Sequence, residues 1–310
     1  MGIVVIGAVF VDIKGYPTSA YIPGGRNVGR VELVHGGVSR NIAEDIANVE
    51  LRPTFVGLVD ETSTGEEVIR KLNSHKVNTG FMRCVPDGMG TWLAVFDNTG
   101  DVVASISKRP DLSPIADILD EQGDEIFRDA NGIVIELDIE KEISRRIFEY
   151  AEKYSIPIYA AVSNISIVLE RRNLLQKTAC FVCNQQEAGM LFSEDYTGRT
   201  PEEMTVILSE KIRLAGIARM VVTMGAEGAV YAEANGNSGV CPAWKVYVID
   251  TTGAGDSFIA GVSIGLTYGK TLQEACSIGA RLAASVVATS ESVCPRFQPG
   301  EFGLDVPVSD

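Results

Sequence analysis

Only two histidines, His35 and His75, and six cysteines occur in 310 residues. Zinc and thiol chemistry therefore has little to work with. Cys180-Phe-Val-Cys183 has the spacing of a zinc knuckle, but no second pair accompanies it. The two read instead as buried strand thiols, and cysteines this sparse fit a reducing cytoplasm rather than a disulfide framework. Positive charge is scarce too: 27 basic residues face 41 acidic ones, a net charge of −14. That sign repels a polyphosphate backbone, so nucleic acid is not an expected partner. An anionic ligand would have to be held by backbone N–H groups, a few placed cations and a metal. No apolar run approaches the roughly 20 residues that span a bilayer. The opening MGIVVIGAVFVDI lacks a preceding basic segment and is broken by Asp12, so it is expected to be a strand, with no membrane partner.

What the chain does have is a large apolar share, 45%, enough for one sizeable core over residues 1–310. Continuous apolar runs that read as buried strands recur at Ile3 to Val11, Phe55 to Val59, Ile133 to Leu137, Ile158 to Val162, Phe181 to Cys183 and Met220 to Thr223. Amphipathic helical stretches alternate with them, among them 41–48, 65–74, 140–154 and 201–214. This rhythm predicts an α/β fold with a mostly parallel sheet covered on both faces. Two segments, about 13–34 and 91–107, break it with prolines, glycines and a hairpin signal around Asp97-Asn-Thr-Gly100. They are expected to form a small accessory sheet inserted into a single domain.

The stretch with most chemical content is VIDTTGAGDSF, residues 248–258. Glycines precede an apolar helix there, and free N–H groups at a helix mouth attract phosphate. Asp256 sits in the first turn, where a carboxylate serves either as a helix cap or as a reactive group. Rival motifs fail on context. Gly269-Lys270-Thr271 looks like the end of a P-loop, yet Ile264 stands where its earlier glycine belongs, and the triplet reads as a helix-ending turn. Gly261-Val-Ser263-Ile-Gly265 matches a nucleophile elbow but lies within the predicted helix, with no histidine after it. No GxGxxG follows the first strand, which excludes the dinucleotide-binding pattern.

At VIDTTGAGDSF the chain resembles the ribokinase-like, or PfkB, family of small-molecule kinases, whose signature has the form DTxGAGD. Three further elements stand in the family's order: HGGVSRNIA at residues 35–43, Asn184-Gln-Gln-Glu187, and Val222-Thr-Met-Gly225-Ala-Glu-Gly228. The resemblance implies a three-layer α/β/α sandwich with a small β lid. GGVSRNIAE and Ser290-Glu-Ser-Val-Cys-Pro295 are most similar to the pseudouridine kinases of that family, which act on a ribose 5′-hydroxyl. Where relatives commonly carry asparagine two residues before the substrate aspartate, this chain has Phe10, an apolar or stacking surface.

Phosphoryl transfer requires in-line positioning, charge neutralisation and removal of the acceptor proton. The resemblance assigns Asp256 as general base and the N–H groups of Gly253, Ala254, Gly255 and Asp256 as the anion hole. It assigns Asp12, Gly37 and Asn41 to the acceptor, with helix capping the competing role for Asn41. Asn184 and Glu187 would hold Mg²⁺ through water, with capping again the competing role. Thr223 and Gly225 would face ATP, and Asp250 with the Thr252 carbonyl would bound a monovalent-cation site for K⁺. Lys108 or Arg109 would either reach phosphate or remain a solvated loop charge. The accessory strands would close as a lid and pair two subunits through Tyr21, Ile22, Val31 and Leu33. A free-sugar kinase and a non-catalytic ligand-binding relative are the alternatives to the nucleoside kinase.

Overall fold

The computed structural model describes residues 2–98 and 102–305. In chain order its strands are β1 (Gly2–Ile6), β2 (Phe10–Pro17), β3 (Gly29–Gly36), β4 (Thr54–Val56), β5 (Leu58–Val59), β6 (Arg83–Cys84), β7 (Gly90–Phe96), β8 (Val102–Lys108), β9 (Ala130–Glu136), β10 (Ile158–Ala161), β11 (Cys180–Asn184), β12 (Arg219–Thr223), β13 (Ala229–Glu233) and β14 (Ser238–Cys241). The helices are α1 (Val38–Asn48), α2 (Ser63–Ser74), α3 (Pro114–Phe127), α4 (Lys141–Tyr154), α5 (Ile165–Leu169), α6 (Arg172–Leu175), α7 (Gln185–Phe192), α8 (Pro201–Ala215), α9 (Ala254–Thr267) and α10 (Leu272–Val287).

Eight strands make the central sheet in the order β14-β13-β12-β11-β10-β9-β1-β4. All neighbours from β12 to β4 run parallel, and β13 and β14 add an antiparallel edge. Because side chains alternate along a strand, each run feeds two cores. Val4, Ile6, Ile133, Ile135, Ile158 and Ala160 pack on the side of α3, α4 and α8. Ile3, Val5, Val134, Tyr159 and Ala161 pack on the side of α1, α9 and α10. A sheet apolar on both faces demands a helical layer on each, which gives the α/β/α sandwich.

Two apolar runs that look continuous are divided between sheets, correcting the expectation of single strands. Ile3 to Val11 begins in β1 and resumes in β2 of the second sheet, and Phe55 to Val59 is split between β4 and β5. The first break falls at Gly7, where a Cβ would stand 2.1 Å from Ser39 Oγ of α1. Only glycine lets α1 enter so close to β1, and the chain leaves the sheet there.

The second sheet has the order β3-β2-β7-β8. Asp97 and Asn98 begin the connection from β7 to β8, while Thr99 and Gly100 of the expected turn lie outside the described residues. Register places Leu33, Ile13, Leu93 and Ile106 in one row across the four strands. Asp12, Lys14 and Tyr16 alternate onto the opposite face, toward the carboxyl ends of the central strands. Cys180 and Cys183 are buried free thiols of β11. Gly269 ends the turn after α9, and Thr271 caps α10. No helix of the described residues is long and apolar enough to cross a membrane.

Candidate active site

Ligands of open parallel sheets bind beyond the carboxyl ends of the strands, and the residues singled out by sequence lie there. Gly253 is the N-cap of α9 with φ of 83°, and a Cβ on it would meet the Ser292 carbonyl oxygen at 2.0 Å. Both the left-handed backbone and the contact demand glycine. Among the described residues the N–H groups of Gly253, Gly255 and Asp256 have no backbone acceptor. The Ala254 N–H turns back to Thr251 O at 3.3 Å, so Ala254 contributes less to an anion hole than expected. Nothing stands within 4 Å of the position a Gly255 Cβ would take, which leaves open space before the amides.

Asp256 is half-buried in the first turn of α9, and its Oδ2 accepts a 2.6 Å hydrogen bond from Asn41 Nδ2. Burial pushes its carboxyl up to about 6, against the Asn41 hydrogen bond and the positive charge of Arg40. At neutral pH it is therefore mostly ionised yet close enough to neutrality to exchange a proton. Asn41 is inside α1 and does not cap it. The N-cap is Gly37, with φ of 100°, and its missing Cβ would strike Ala8 O at 2.7 Å. The chain's own packing is thus enough to require glycine at position 37. Arg40, 1% exposed, pairs with Glu44 and donates to the carbonyls of His35 and Gly36, which fixes the turn into α1.

Asp12 lies on the inner face of β2, raised by burial and pulled down by Lys14 and Arg40; its charge also raises Asp256. Two residues on, Lys14 faces Asp250, with Nζ 3.9 Å from Oδ2. The other Asp250 oxygen accepts the Thr252 N–H at 2.8 Å, bracing the loop that enters α9. A second cation about 4 Å from the Lys14 charge would meet repulsion of about 4 kcal/mol at an effective dielectric constant of 20. Lys14 thus already supplies a positive charge beside the Asp250 and Thr252 positions assigned to a monovalent cation.

Asn184 and Glu187 form a reciprocal capping box at α7, each side chain 2.8 Å from the other's backbone nitrogen. The bond engages Glu187 Oε2 and Asn184 Oδ1, while Glu187 Oε1 remains for a metal-bound water. Burial raises Glu187, a cost that Mg²⁺ would offset. Thr223 pairs in register with Asn184 on the adjacent strand, and Gly225, exposed with φ of 58°, opens the turn after β12. Lys108 pairs with Asp87, and Arg109 pairs with Asp138.

Sequence reading missed three carboxylates. Glu136 at the end of β9 accepts from Ser39 Oγ at 2.6 Å and is pushed up by burial and by Asp138. Asp138 accepts from Ser163 N and Oγ at 3.1 and 2.8 Å. Asp45, fully buried one helical turn beyond Asn41, accepts from Ser257 Oγ at 2.7 Å and Cys294 N at 2.6 Å. One face of α1 therefore holds both Asp256 and its neighbour Ser257.

A protein with this layered fold, open amides at a helix mouth and a half-buried carboxylate beside them is equipped as a small-molecule phosphotransferase. The chain belongs to the pfkB family of carbohydrate kinases, whose model it matches over residues 2–295. It is therefore a phosphotransferase acting on a hydroxyl group, in a family that uses ATP. It is 34% identical to the guanosine-inosine kinase of Exiguobacterium acetylicum over 292 residues, covering 94% of this chain and 95% of that one. It is 27% identical to the pseudouridine kinase of Escherichia coli (strain K12), with 84% and 82% covered. Among solved structures, Arabidopsis thaliana ribokinase complexed with ribose and ATP superposes with a TM-score of 0.80 at 20% identity, covering 97% of each chain.

Burial raises Asp45 from an ordinary carboxyl to about 7. A carboxyl raised on folding adds stability that is complete below pH about 4 and lost as pH rises through about 7. Asp45→Asn, which does not titrate, is expected to gain on the wild type over that window by up to about 4 kcal/mol. Urea melts at pH 5 and pH 8 read the difference; an identical gap at both values would show that Asp45 is not perturbed.

Proposed function

We propose that this kinase transfers the γ-phosphoryl group of ATP to the 5′-hydroxyl of a nucleoside. The observation that carries the reading is Asp256, held by Asn41 at the mouth of α9 with unpaired amides beside it. Its carboxylate takes the acceptor proton as the hydroxyl oxygen forms its bond to phosphorus and the bond to the leaving ADP breaks. The N–H groups of Gly253, Gly255 and Asp256 receive the negative charge of the transferred group. Asp12 and Asn41 hold the acceptor, and Thr223 and Gly225 border the nucleotide. Asn184 and Glu187 would hold Mg²⁺ through water; bound there, the metal neutralises phosphate charge.

Aromatic surface beside Asp12 favours a nucleoside over a bare sugar. Tyr16 and Phe96 stack with centroids 4.7 Å apart, Trp92 meets Phe96 edge-on, and Trp92 lies directly across from Asp12 in the sheet. Such rings give a base a stacking face. The relative named for guanosine and inosine shares more identity than the one named for pseudouridine. Those three nucleosides are thus the first acceptors to test, followed by uridine, ribose and fructose. Acceptor-dependent ADP release with Mg-ATP, using Asp256→Asn as the blank, is expected with at least one nucleoside. Turnover with free sugars alone would overturn the nucleoside reading, and nucleotide binding without turnover on any acceptor would overturn the kinase reading.

The second sheet acts as a lid that keeps water from the phosphoryl group. Its outer row exposes Leu33 (68%) and Ile106 (71%) with Leu93, an apolar stripe that a second copy of this chain would cover. Val31, on the same face of β3, and Ile22, in the β2–β3 connection, are exposed as well. A homodimer is expected in sedimentation velocity, with Leu33→Glu shifting it to monomer; a wild-type monomer across the micromolar range would contradict it.

A further inference from the structure

Lys14 is 4% exposed, yet its Nζ donates no hydrogen bond among the described residues. Buried lysines are retained where their charge is used, because removing an ammonium group from water is costly. The ion pair it makes is with Asp250 Oδ2 at 3.9 Å, and its charge also acts on Asp12. Asp250 is the carboxylate whose other oxygen braces Thr252, directly before the N-cap of α9. Without a cation beside it, that carboxylate would set a negative charge against the same loop that must accept phosphate. We propose that Lys14 is the built-in counter-cation of the Asp250 loop, carried on the lid strand, so that nucleotide binding and turnover need no potassium or other monovalent metal ion. The inference rests on the phosphotransfer reading. It makes Lys14 a positioning residue that acts through Asp250 on the anion-binding amides, and it ties their neutralisation to the sheet that brings Asp12 to the acceptor.

The test is calorimetric binding of Mg-ADP to the full chain in choline chloride and in potassium chloride at equal ionic strength, with turnover measured alongside. Wild-type affinity is expected to agree between the salts within a factor of about two. Lys14→Met should lose about tenfold in affinity in choline and recover part of it in potassium, as a free cation enters the vacated place. Lys14→Arg should remain indifferent to potassium, and circular dichroism identifies any variant that fails to fold. Three results would overturn the proposal: wild-type binding that requires potassium, a Lys14→Met defect equal in both salts, or a turnover loss with unchanged Mg-ADP affinity. The last would place Lys14 on the transferred phosphoryl group instead. Failure of the kinase reading is distinguishable, because it would appear as no Mg-ADP binding in either salt.

Discussion

The site depends on one hydrogen bond between two helices far apart in sequence, Asn41 of α1 to Asp256 of α9 at 2.6 Å. It sets the direction of the carboxylate and favours its ionised form, in opposition to burial. One turn along α1, Asp45 secures Ser257 and the backbone of Cys294. The two contacts leave α9 little freedom to roll about its axis, so the carboxylate and the amides beside it keep one geometry. The close approach of α9 to α10 supports this from behind: a Cβ on Gly261 would stand 2.5 Å from the Gly279 backbone.

Electrostatics at this point is a balance among groups of both signs. Asp12, Asp250 and Asp256 concentrate negative charge at the mouth of α9, where the dipole end and open amides are positive. Arg40 from α1 and Lys14 from β2 moderate the carboxylates. In a chain of net charge −14, an anionic nucleotide is admitted by local arrangement against the overall field. The resemblance to ribokinases at about 20% identity concerns fold, whereas these side-chain contacts belong to this chain.

Much of this was legible in sequence where local chemistry decides structure. The glycines and helix of VIDTTGAGDSF, the alternation of apolar runs with amphipathic helices, and the Asn184–Glu187 spacing each announce a local conformation. The hairpins of the second sheet were visible as breaks in that rhythm. What was hidden depends on distant partners. Glu136 and Asp138 sit at the end of an apolar run and acquire meaning only beside Ser39 and Ser163. Asp45 reads as an ordinary polar helix residue until α9 packs on it. Lys14 was the nearest miss, because a two-residue step from Asp12 on a strand already puts it on the same face. The break at Gly7 went unseen because its collision involves a helix that begins some thirty residues later, and the break at Gly57 because there a Cβ would stand 2.9 Å from the Gly7 carbonyl oxygen of another strand end.

The central claim is that Asp256 is the ionised base of the transfer, and the pH dependence of kcat/KM measures it most directly. With any accepted acceptor, wild-type kcat/KM should rise with pH through a midpoint of about 6 and then level off, because a base must be deprotonated to act. Asp256→Asn should lose at least about a hundredfold and with it that acidic limb. A variant that keeps near-normal turnover, or one that shows the same limb, would contradict the account.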